Sequence, residues 1–155
     1  MRTYHLSLGR YRPFALLPRG GAQVNPLPNV RVGIDVVSVD EVAASIERFG
    51  DRYLQRVYTP HELDACRGGG YVRASRLAAR FAAKEAVMKV LRPDDSSPGW
   101  RDIEIWRQEP GWCEVRLHGS AADLAAAAGL GQVAVSITHA KDVAAAVAVA
   151  VAPDA

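Results

Sequence analysis

The sequence predicts an α+β domain in which a mainly antiparallel sheet packs against helices. Alternating apolar residues mark five short strands, and capping motifs mark helices between them. Strands and helices do not alternate regularly enough for a doubly wound parallel sheet. The 155 residues are enough for one domain with a substantial core.

The first predicted strand covers residues 30–36, where four apolar residues alternate with three others that include Asp35. This period of two is typical of a half-buried strand. It predicts that the apolar residues face the core, while Asp35 lies on the open face near the strand's end. Ser38 with Glu41 forms a capping-box pattern, which predicts a helix that Gly50 ends.

Two further helices are predicted before the middle of the chain. Thr59-Pro60-His61-Glu62 combines an N-cap residue, a proline in the first turn and a capping-box glutamate, and it is the clearest helix start. Glycines 68–70 end this helix. A long helix is predicted to follow from about Tyr71 to Leu91, and the loop chemistry of residues 93–99 ends it.

The C-terminal half is predicted to hold a hairpin, a helix and two last strands. The segments RDIEIWR and WCEVRLH alternate apolar and polar residues around Pro110-Gly111, as expected for an antiparallel hairpin. Ser120 with Asp123 predicts the start of an alanine-rich helix that Gly129 stops. The last strands are predicted over 133–138 and 143–151, with residues 139–142 as their turn.

The composition is that of a soluble globular protein, with 49% apolar and 23% charged residues. The most apolar segment, 143–152, is too short to span a bilayer and fits a buried strand. The N-terminus lacks the apolar core of a signal peptide. Cys66 and Cys113 have no metal-ligand spacing, which favours a reducing compartment and predicts a cytoplasmic protein.

Charge is distributed unevenly along the chain. Residues 1–34 carry five arginines and no acid, whereas residues 35–155 carry 14 basic and 17 acidic side chains, a net charge of −3. The prolines and paired glycines at the start favour an irregular basic extension over 1–29, followed by a domain over 30–152. A transit peptide or a nucleic-acid-binding arm has a similar composition.

The long helix carries the first candidate functional residues. Glu85 and Lys89 are four positions apart, so they lie one turn from each other on one face. Glu85 is predicted at the border of the apolar stripe, where packing can hold a metal-binding carboxylate rigidly while one side stays open. An ordinary surface pair worth about 0.2–0.5 kcal/mol has the same spacing.

Asp35 and His139 extend this set. Two carboxylates and a lysine suit Mg²⁺-assisted phosphoryl chemistry, because Mg²⁺ takes oxygen ligands and a lysine balances the charge of a phosphate. The alternative interpretations are a solvated acid at a strand end for Asp35 and a turn residue for His139.

The chain resembles the small holo-acyl-carrier-protein synthases of the 4′-phosphopantetheinyl transferase superfamily in three motifs, which occur in the same order: Gly33-Ile34-Asp35, Phe81 through Lys89, and Ser136-Ile137-Thr138-His139. The resemblance covers about Val30 to Ala152, and the helix motif is its most specific part. It implies the fold of that superfamily. It also implies transfer of the phosphopantetheine arm of coenzyme A to a serine of an apo carrier protein, with release of adenosine 3′,5′-bisphosphate.

The resemblance also implies roles for individual residues. Asp35 and Glu85 would bind Mg²⁺ beside the pyrophosphate, and Lys89 would contact the transferred phosphate. Glu85 would take the serine proton, directly or through a metal-bound water. Four residues would line the nucleotide phosphates: Arg80, Lys84, Ser136 and His139. For Lys84, the helix pattern predicts a packed stem with only the head free to reach a phosphate.

The partners implied by the resemblance are coenzyme A and an apo acyl or peptidyl carrier protein. Small synthases of this type usually assemble as trimers with sites between neighbours, so a homotrimer is expected, with no membrane and no nucleic acid as partner. Many members carry a basic residue for carrier docking where this chain has Glu41 after Asp40. Two expectations follow: either the carrier is atypical, or it docks mainly through Arg48, Arg52 and Arg56.

Two other functions remain open. A catalytically idle relative would bind a carrier or organise a complex, but the presence of Asp35, Glu85, Lys89 and His139 together argues against it. A metal nuclease also uses Asp, Glu and Lys. Its Glu and Lys commonly lie two apart on a strand, however, and the net charge of residues 35–155 is poor for binding a polyanion. The sequence does not specify whether the carrier serves fatty-acid, polyketide or peptide synthesis.

Overall fold

The computed structural model describes residues 30–94, 97–109 and 111–152. Five strands form one antiparallel sheet in the order β1-β5-β4-β3-β2. The predicted α+β class is therefore confirmed, whereas the predicted extension over 1–29 lies outside the described residues. The strands are β1 (Val30–Ser38), β2 (Ile103–Arg107), β3 (Cys113–Leu117), β4 (Ala134–Ala140) and β5 (Val143–Val151).

The helices begin close to where the capping patterns place them. The Ser38 hydroxyl accepts a hydrogen bond from the Glu41 N–H, and Thr59 and Glu62 form both bonds of a capping box. The helices are α1 (Val39–Phe49), α2 (Asp51–Val57), α3 (Pro60–Ala65), α4 (Gly70–Leu91) and α5 (Gly119–Ala127), with a 3₁₀ turn at Trp100–Asp102. In the described ranges, no helix is long and apolar enough to cross a membrane.

The predicted cap of the alanine-rich helix was wrong. α5 begins at Gly119, two residues earlier than a cap at Ser120 would place it, with His118 at the N-cap position and no side-chain cap. The Ser120 hydroxyl instead donates a 2.7 Å hydrogen bond to the Asp102 carboxylate. A serine hydroxyl can cap a helix or form a hydrogen bond with another side chain. Here the Asp102 carboxylate is close enough that Ser120 forms the second kind of bond.

Helix α4 lies across one face of the sheet at close range because both surfaces carry small residues. The four alanines of β5 that face it are buried, as are five alanines of α4 itself: Ala144, Ala146, Ala148 and Ala150 below, and Ala78, Ala79, Ala82, Ala83 and Ala86 above. The closest approach is at Gly33 of β1. A Cβ there would lie 2.0 Å from the Ala86 carbonyl oxygen, so only glycine allows this approach.

The predicted first strand is confirmed, but the prediction of its covered face was wrong. Gly33 and Val37 face α4, and Asp35 lies on the same side of the strand. The alternating apolar residues form the outer face and are 40%, 58%, 63% and 61% exposed: Val30, Val32, Ile34 and Val36. β5 follows the same rule, since its four even-numbered alanines are buried while Val143 and Val151 are exposed.

Candidate active site

Asp35, Glu85 and Lys89 come together where β1 passes beneath α4. The Lys89 ammonium donates to the Asp35 carboxylate at 2.9 Å and to the Ile34 carbonyl oxygen at 2.6 Å. The Lys89 side chain is 50% exposed and that of Asp35 is 19% exposed. The strand therefore anchors the ammonium in place while leaving it open to a ligand.

Glu85 adds a second carboxylate to this group. Partial burial raises the pKa of Glu85, and the negative charge of Asp35 raises it further, whereas Lys89 acts in the opposite direction. Two carboxylates that repel each other in this way gain from a cation between them. Mg²⁺ is usually held by one or two carboxylates together with substrate phosphates and water, so the donor set fits this ion.

The metal prediction therefore rests on a pair of side chains. Within the described parts of the chain, no group of three or more His, Cys, Asp or Glu side chains is arranged to hold a metal ion.

An arginine-lined cleft of about 320 Å³ lies on the other flank of α4. It is lined by the basic residues Arg76, Arg80, Arg107 and His139, together with Ile137. No aspartate or glutamate is among the described residues that line it. Guanidinium groups bind phosphate oxygens with two parallel hydrogen bonds, so this cleft suits a phosphorylated ligand.

Arg80 is the least exposed of these cations. It is only 4% exposed, and its Nε has no hydrogen-bond partner in the described structure. Its Nη1 donates to the Arg76 carbonyl oxygen at 3.3 Å. A buried guanidinium with a free N–H is costly unless a ligand completes its bonds.

The two predicted residues of β4 face opposite ways. His139 lines the arginine cleft on the helix side, whereas Ser136 lies on the outer face beside Ile34 and Val147. The prediction that His139 sits in the turn was wrong, because β4 continues to Ala140. Side chains alternate along a strand, so Ser136 and His139 point to opposite faces of the sheet.

Lys84 lies in the core and not in either cluster. Its side chain is 0% exposed, and its ammonium lies 2.9 Å from the Glu62 carboxylate. It also donates to the carbonyl oxygens of Trp100 and Ile103. This position corrects the expectation that the head of Lys84 reaches a phosphate, because the whole side chain is enclosed.

Three residues of these clusters were not selected from the sequence. Gly33 was quoted only as part of a motif, although its missing side chain allows the contact of β1 with α4. Arg76 precedes Arg80 by four positions, which is one helical turn, and that spacing was a usable signal. Arg107 lies on the same face of β2 as the buried Ile103 and Ile105, a place where the sequence alone predicts a core residue.

Comparison with known proteins identifies related sequences and structures. The sequence model of the 4′-phosphopantetheinyl transferase superfamily matches residues 31–148. The holo-[acyl-carrier-protein] synthase of Desulforudis audaxviator is 45% identical over 124 residues, which are 79% of this chain and 92% of that protein.

Solved structures give the same result. The ACPS–CoA complex of Chronobacterium ammoniagenes aligns with a TM-score of 0.71 and 28% identity, over 81% of this chain and 98% of that one. The holo-[acyl-carrier-protein] synthase of Helicobacter pylori in complex with coenzyme A aligns with a TM-score of 0.65 and 27% identity, over 77% and 98% of the two chains. This chain is thus similar to each of these proteins along nearly the whole of their length.

Proposed function

The chain belongs to the 4′-phosphopantetheinyl transferase superfamily, and from this premise we propose that it acts as a holo-[acyl-carrier-protein] synthase. It transfers the 4′-phosphopantetheine arm of coenzyme A to a serine of an apo carrier protein. One observation carries the proposal for the site: the Lys89 ammonium and the Asp35 carboxylate are held 2.9 Å apart, next to Glu85.

The reaction exchanges the phosphoanhydride bond of coenzyme A for a phosphate ester bond to serine. The serine oxygen attacks the phosphorus that bears the pantetheine arm, and a new oxygen–phosphorus bond forms. The pyrophosphate bond to adenosine 3′,5′-bisphosphate breaks, and the leaving group keeps the bridging oxygen. The serine proton passes to Glu85, a carboxylate that lies beside Asp35 and Lys89.

Lys89 stabilises the negative charge that develops on the transferred phosphate. Its ammonium is held by Ile34 and Asp35 before substrate arrives, so little reorganisation is needed in the transition state. Asp35 and Glu85 would hold Mg²⁺. A bound Mg²⁺ would supply positive charge to the pyrophosphate and its leaving group.

The arginine cleft is suited to the nucleotide end of coenzyme A. Arg80 and His139 were predicted to line nucleotide phosphates, and Arg76 and Arg107 extend the same wall. The unpartnered Nε of Arg80 supports this assignment, because a phosphate oxygen would satisfy it. For Lys84 we propose a structural role instead.

We propose that two copies of the chain together bring both clusters to one ligand. Along α4, Arg80 is about 140° from Glu85 and about 180° from Lys89 at 100° per residue. The helix body therefore separates the two clusters of one chain by roughly its own diameter of 10 Å. A neighbouring copy can present its Arg80 flank to the Glu85 flank of the first.

The outer face of the sheet, which the described residues leave uncovered, supports such an assembly. Val32, Ile34 and Val36 of β1 are each more than half exposed, and large contiguous apolar patches usually mark an interface. We propose a homotrimer in which this face is buried between copies. Ser136 lies on the same outer face and would then reach the site across the interface.

The carrier docks on a different surface, at α1 and α2. Phe49, Arg52, Tyr53 and Arg56 line a cleft there, and the Arg48 guanidinium lies 4.9 Å from the centre of the Phe49 ring. This combination of cations and aromatic rings suits an acidic, partly apolar partner helix.

The exposed Glu41 on α1 would oppose such a partner. Replacing it in the variant Glu41→Arg is expected to raise the association rate with an acidic carrier, measured by surface plasmon resonance. An unchanged rate would show that α1 is not the docking surface.

The compartment follows from the cysteines. Cys66 and Cys113 are both free thiols, and unpaired cysteines favour a reducing environment. We therefore propose that the protein works in the cytoplasm.

The deciding experiment is intact-protein mass spectrometry of apo carrier proteins after incubation with this protein, Mg²⁺ and coenzyme A. A mass gain of one phosphopantetheine group that disappears with Asp35→Ala supports the transferase. Wild-type protein that binds coenzyme A but modifies none of a panel of fatty-acid, polyketide and peptide carriers would favour the idle, carrier-binding relative.

A further inference from the structure

The Glu62–Lys84 ion pair is fully buried, and it lies outside both clusters described above. Each side chain is 0% exposed, and the two charged groups are 2.9 Å apart. A buried ion pair is weak evidence for stability, because apolar residues of similar volume often stabilise a protein as well or better. Stability alone therefore does not explain why this ion pair is present, and Lys84 directly precedes Glu85 in the chain.

Glu62 connects three parts of the fold. One carboxylate oxygen accepts from the Thr59 N–H at 2.8 Å and from the Lys84 ammonium. The other accepts from the Ile105 N–H at 2.9 Å. The start of α3, the edge strand β2 and helix α4 thus meet at a single carboxylate.

Lys84 makes the matching connections from α4. Besides Glu62, its ammonium bonds the carbonyl oxygens of Trp100 and Ile103, at the two ends of the 3₁₀ turn before β2. All three protons of the ammonium therefore have an oxygen partner. Because these three acceptors belong to other elements, they restrict both the rotation of α4 about its axis and its distance from the sheet.

Thr59 and Glu104 extend the connection to the surface. The Thr59 hydroxyl donates to the Glu104 carboxylate at 2.6 Å, and Glu104 lies 3.1 Å from the ring of the half-exposed His118. The network therefore ties α3 to β2 and to the start of α5 as well.

Rotation of α4 matters because the helix carries two of the three catalytic residues, Glu85 and Lys89. Glu85 follows Lys84 by about 100° around the axis, so one points toward β1 and the other toward β2 and α3. On the β1 side, the contact of Gly33 with Ala86 limits how close the helix comes. That contact sets the distance, whereas the anchored ammonium of Lys84 sets the rotation.

We propose that Lys84, held by Glu62 and by the carbonyl oxygens of Trp100 and Ile103, is a positioning residue that fixes the rotation of α4, so that Glu85 meets Asp35 in the geometry a divalent cation requires. The inference rests on the proposed function. Mg²⁺ demands a near-ideal arrangement of oxygen ligands, so a small rotation of α4 weakens metal binding even if both carboxylates remain.

The test compares Lys84→Met with the double variant Glu62→Gln/Lys84→Met. The double variant removes both charges, and glutamine can still accept at the α3 cap. Leu77→Ala, a change at a fully buried α4 residue outside the network, controls for general destabilisation. Mn²⁺ binding in the presence of coenzyme A is followed by electron paramagnetic resonance, well below the lowest melting temperature, and turnover is measured separately with an apo carrier.

We expect both Lys84 variants to bind Mn²⁺ about 10- to 100-fold more weakly, the usual effect of losing a partner that orients a ligand, with a parallel fall in kcat. The double variant should regain much of the melting temperature without regaining metal affinity, and Leu77→Ala should lose melting temperature only. A double variant with wild-type Mn²⁺ affinity and kcat would overturn this inference but not the proposed function. Wild-type protein that modifies no carrier would overturn the proposed function.

Discussion

Replacing Gly33 by alanine tests the contact that brings the catalytic residues together. The new Cβ would lie 2.0 Å from the Ala86 carbonyl oxygen and 2.9 Å from its carbon, where real Cβ contacts are essentially never closer than 3.0 Å. Both nearest atoms belong to the backbone of α4, so no side chain can rotate away. Strand and helix must therefore separate by about 1 Å, the difference between the 3.0 Å limit and the 2.0 Å distance to the carbonyl oxygen.

The separation has two measurable consequences. Overpacking of this kind costs about 1–3 kcal/mol, and for a domain of this size each kcal/mol lowers Tm by about 4 °C. Asp35 on β1 also moves away from Glu85 and Lys89 on α4. A misplacement of about 1 Å lowers turnover by about 100-fold.

Differential scanning calorimetry and the mass-spectrometric transfer assay measure the two effects separately. Gly131→Ala is the matched control, because the nearest atom to a Cβ there is the Val151 carbonyl oxygen at 3.9 Å, an ordinary contact. The control should stay within about 0.5 kcal/mol of wild type. If Gly33→Ala kept both wild-type Tm and wild-type turnover, the close approach of α4 to β1 would be refuted.

Three further predictions follow from the same structure. Glu85→Gln should keep the circular dichroism spectrum and lose Mg²⁺-dependent turnover by about 100-fold or more; full activity across a Mg²⁺ titration would contradict the metal assignment. Burial alone would raise the pKa of Glu104, but hydrogen bonds from Thr59 and His118 lower it overall. The ionised Glu104 carboxylate therefore stabilises the fold fully above about pH 4.3, the pKa of an ordinary glutamate. This stabilisation is lost as pH falls through the lower pKa of Glu104 in the folded state. Glu104→Gln should therefore lower the unfolding free energy by about 1–2 kcal/mol near neutral pH and by less in acid, as urea unfolding at several pH values would measure; a deficit independent of pH would contradict this. Ile34→Asp places a charge on the outer sheet face and should yield folded, inactive monomers in light scattering; an active trimer would show that the interface lies elsewhere.

Local patterns in the sequence were sufficient to predict most elements of the fold. The capping residues Ser38, Thr59 and Glu62 act within a few positions of themselves, so their bonds follow from short-range geometry. The period of alternation likewise located β1 and the β2–β3 hairpin. Glu85 and Lys89 were found in the same way, because one turn of helix determines that they are neighbours.

The strand pattern and then the family motifs added Asp35 to this pair, and the structure places it beside Lys89. The sequence did not show which face of each strand packs against a helix. Alternation shows that β1 has an apolar face, but it does not show what lies on that face. In the structure, Gly33 packs against the alanines of α4 on one face of β1, and the alternating valines lie on the opposite, exposed face.

The fate of the predicted phosphate residues was decided by tertiary structure alone. Lys84 and Glu85 are adjacent in sequence, yet one is enclosed by Glu62 and the other is half open, because α3 and β2 cover only one side of α4. Arg80 and His139 meet in one cleft although 59 positions separate them in the chain. Charge and spacing determine which residues can do phosphate chemistry, whereas long-range packing determines which of them are free to do it.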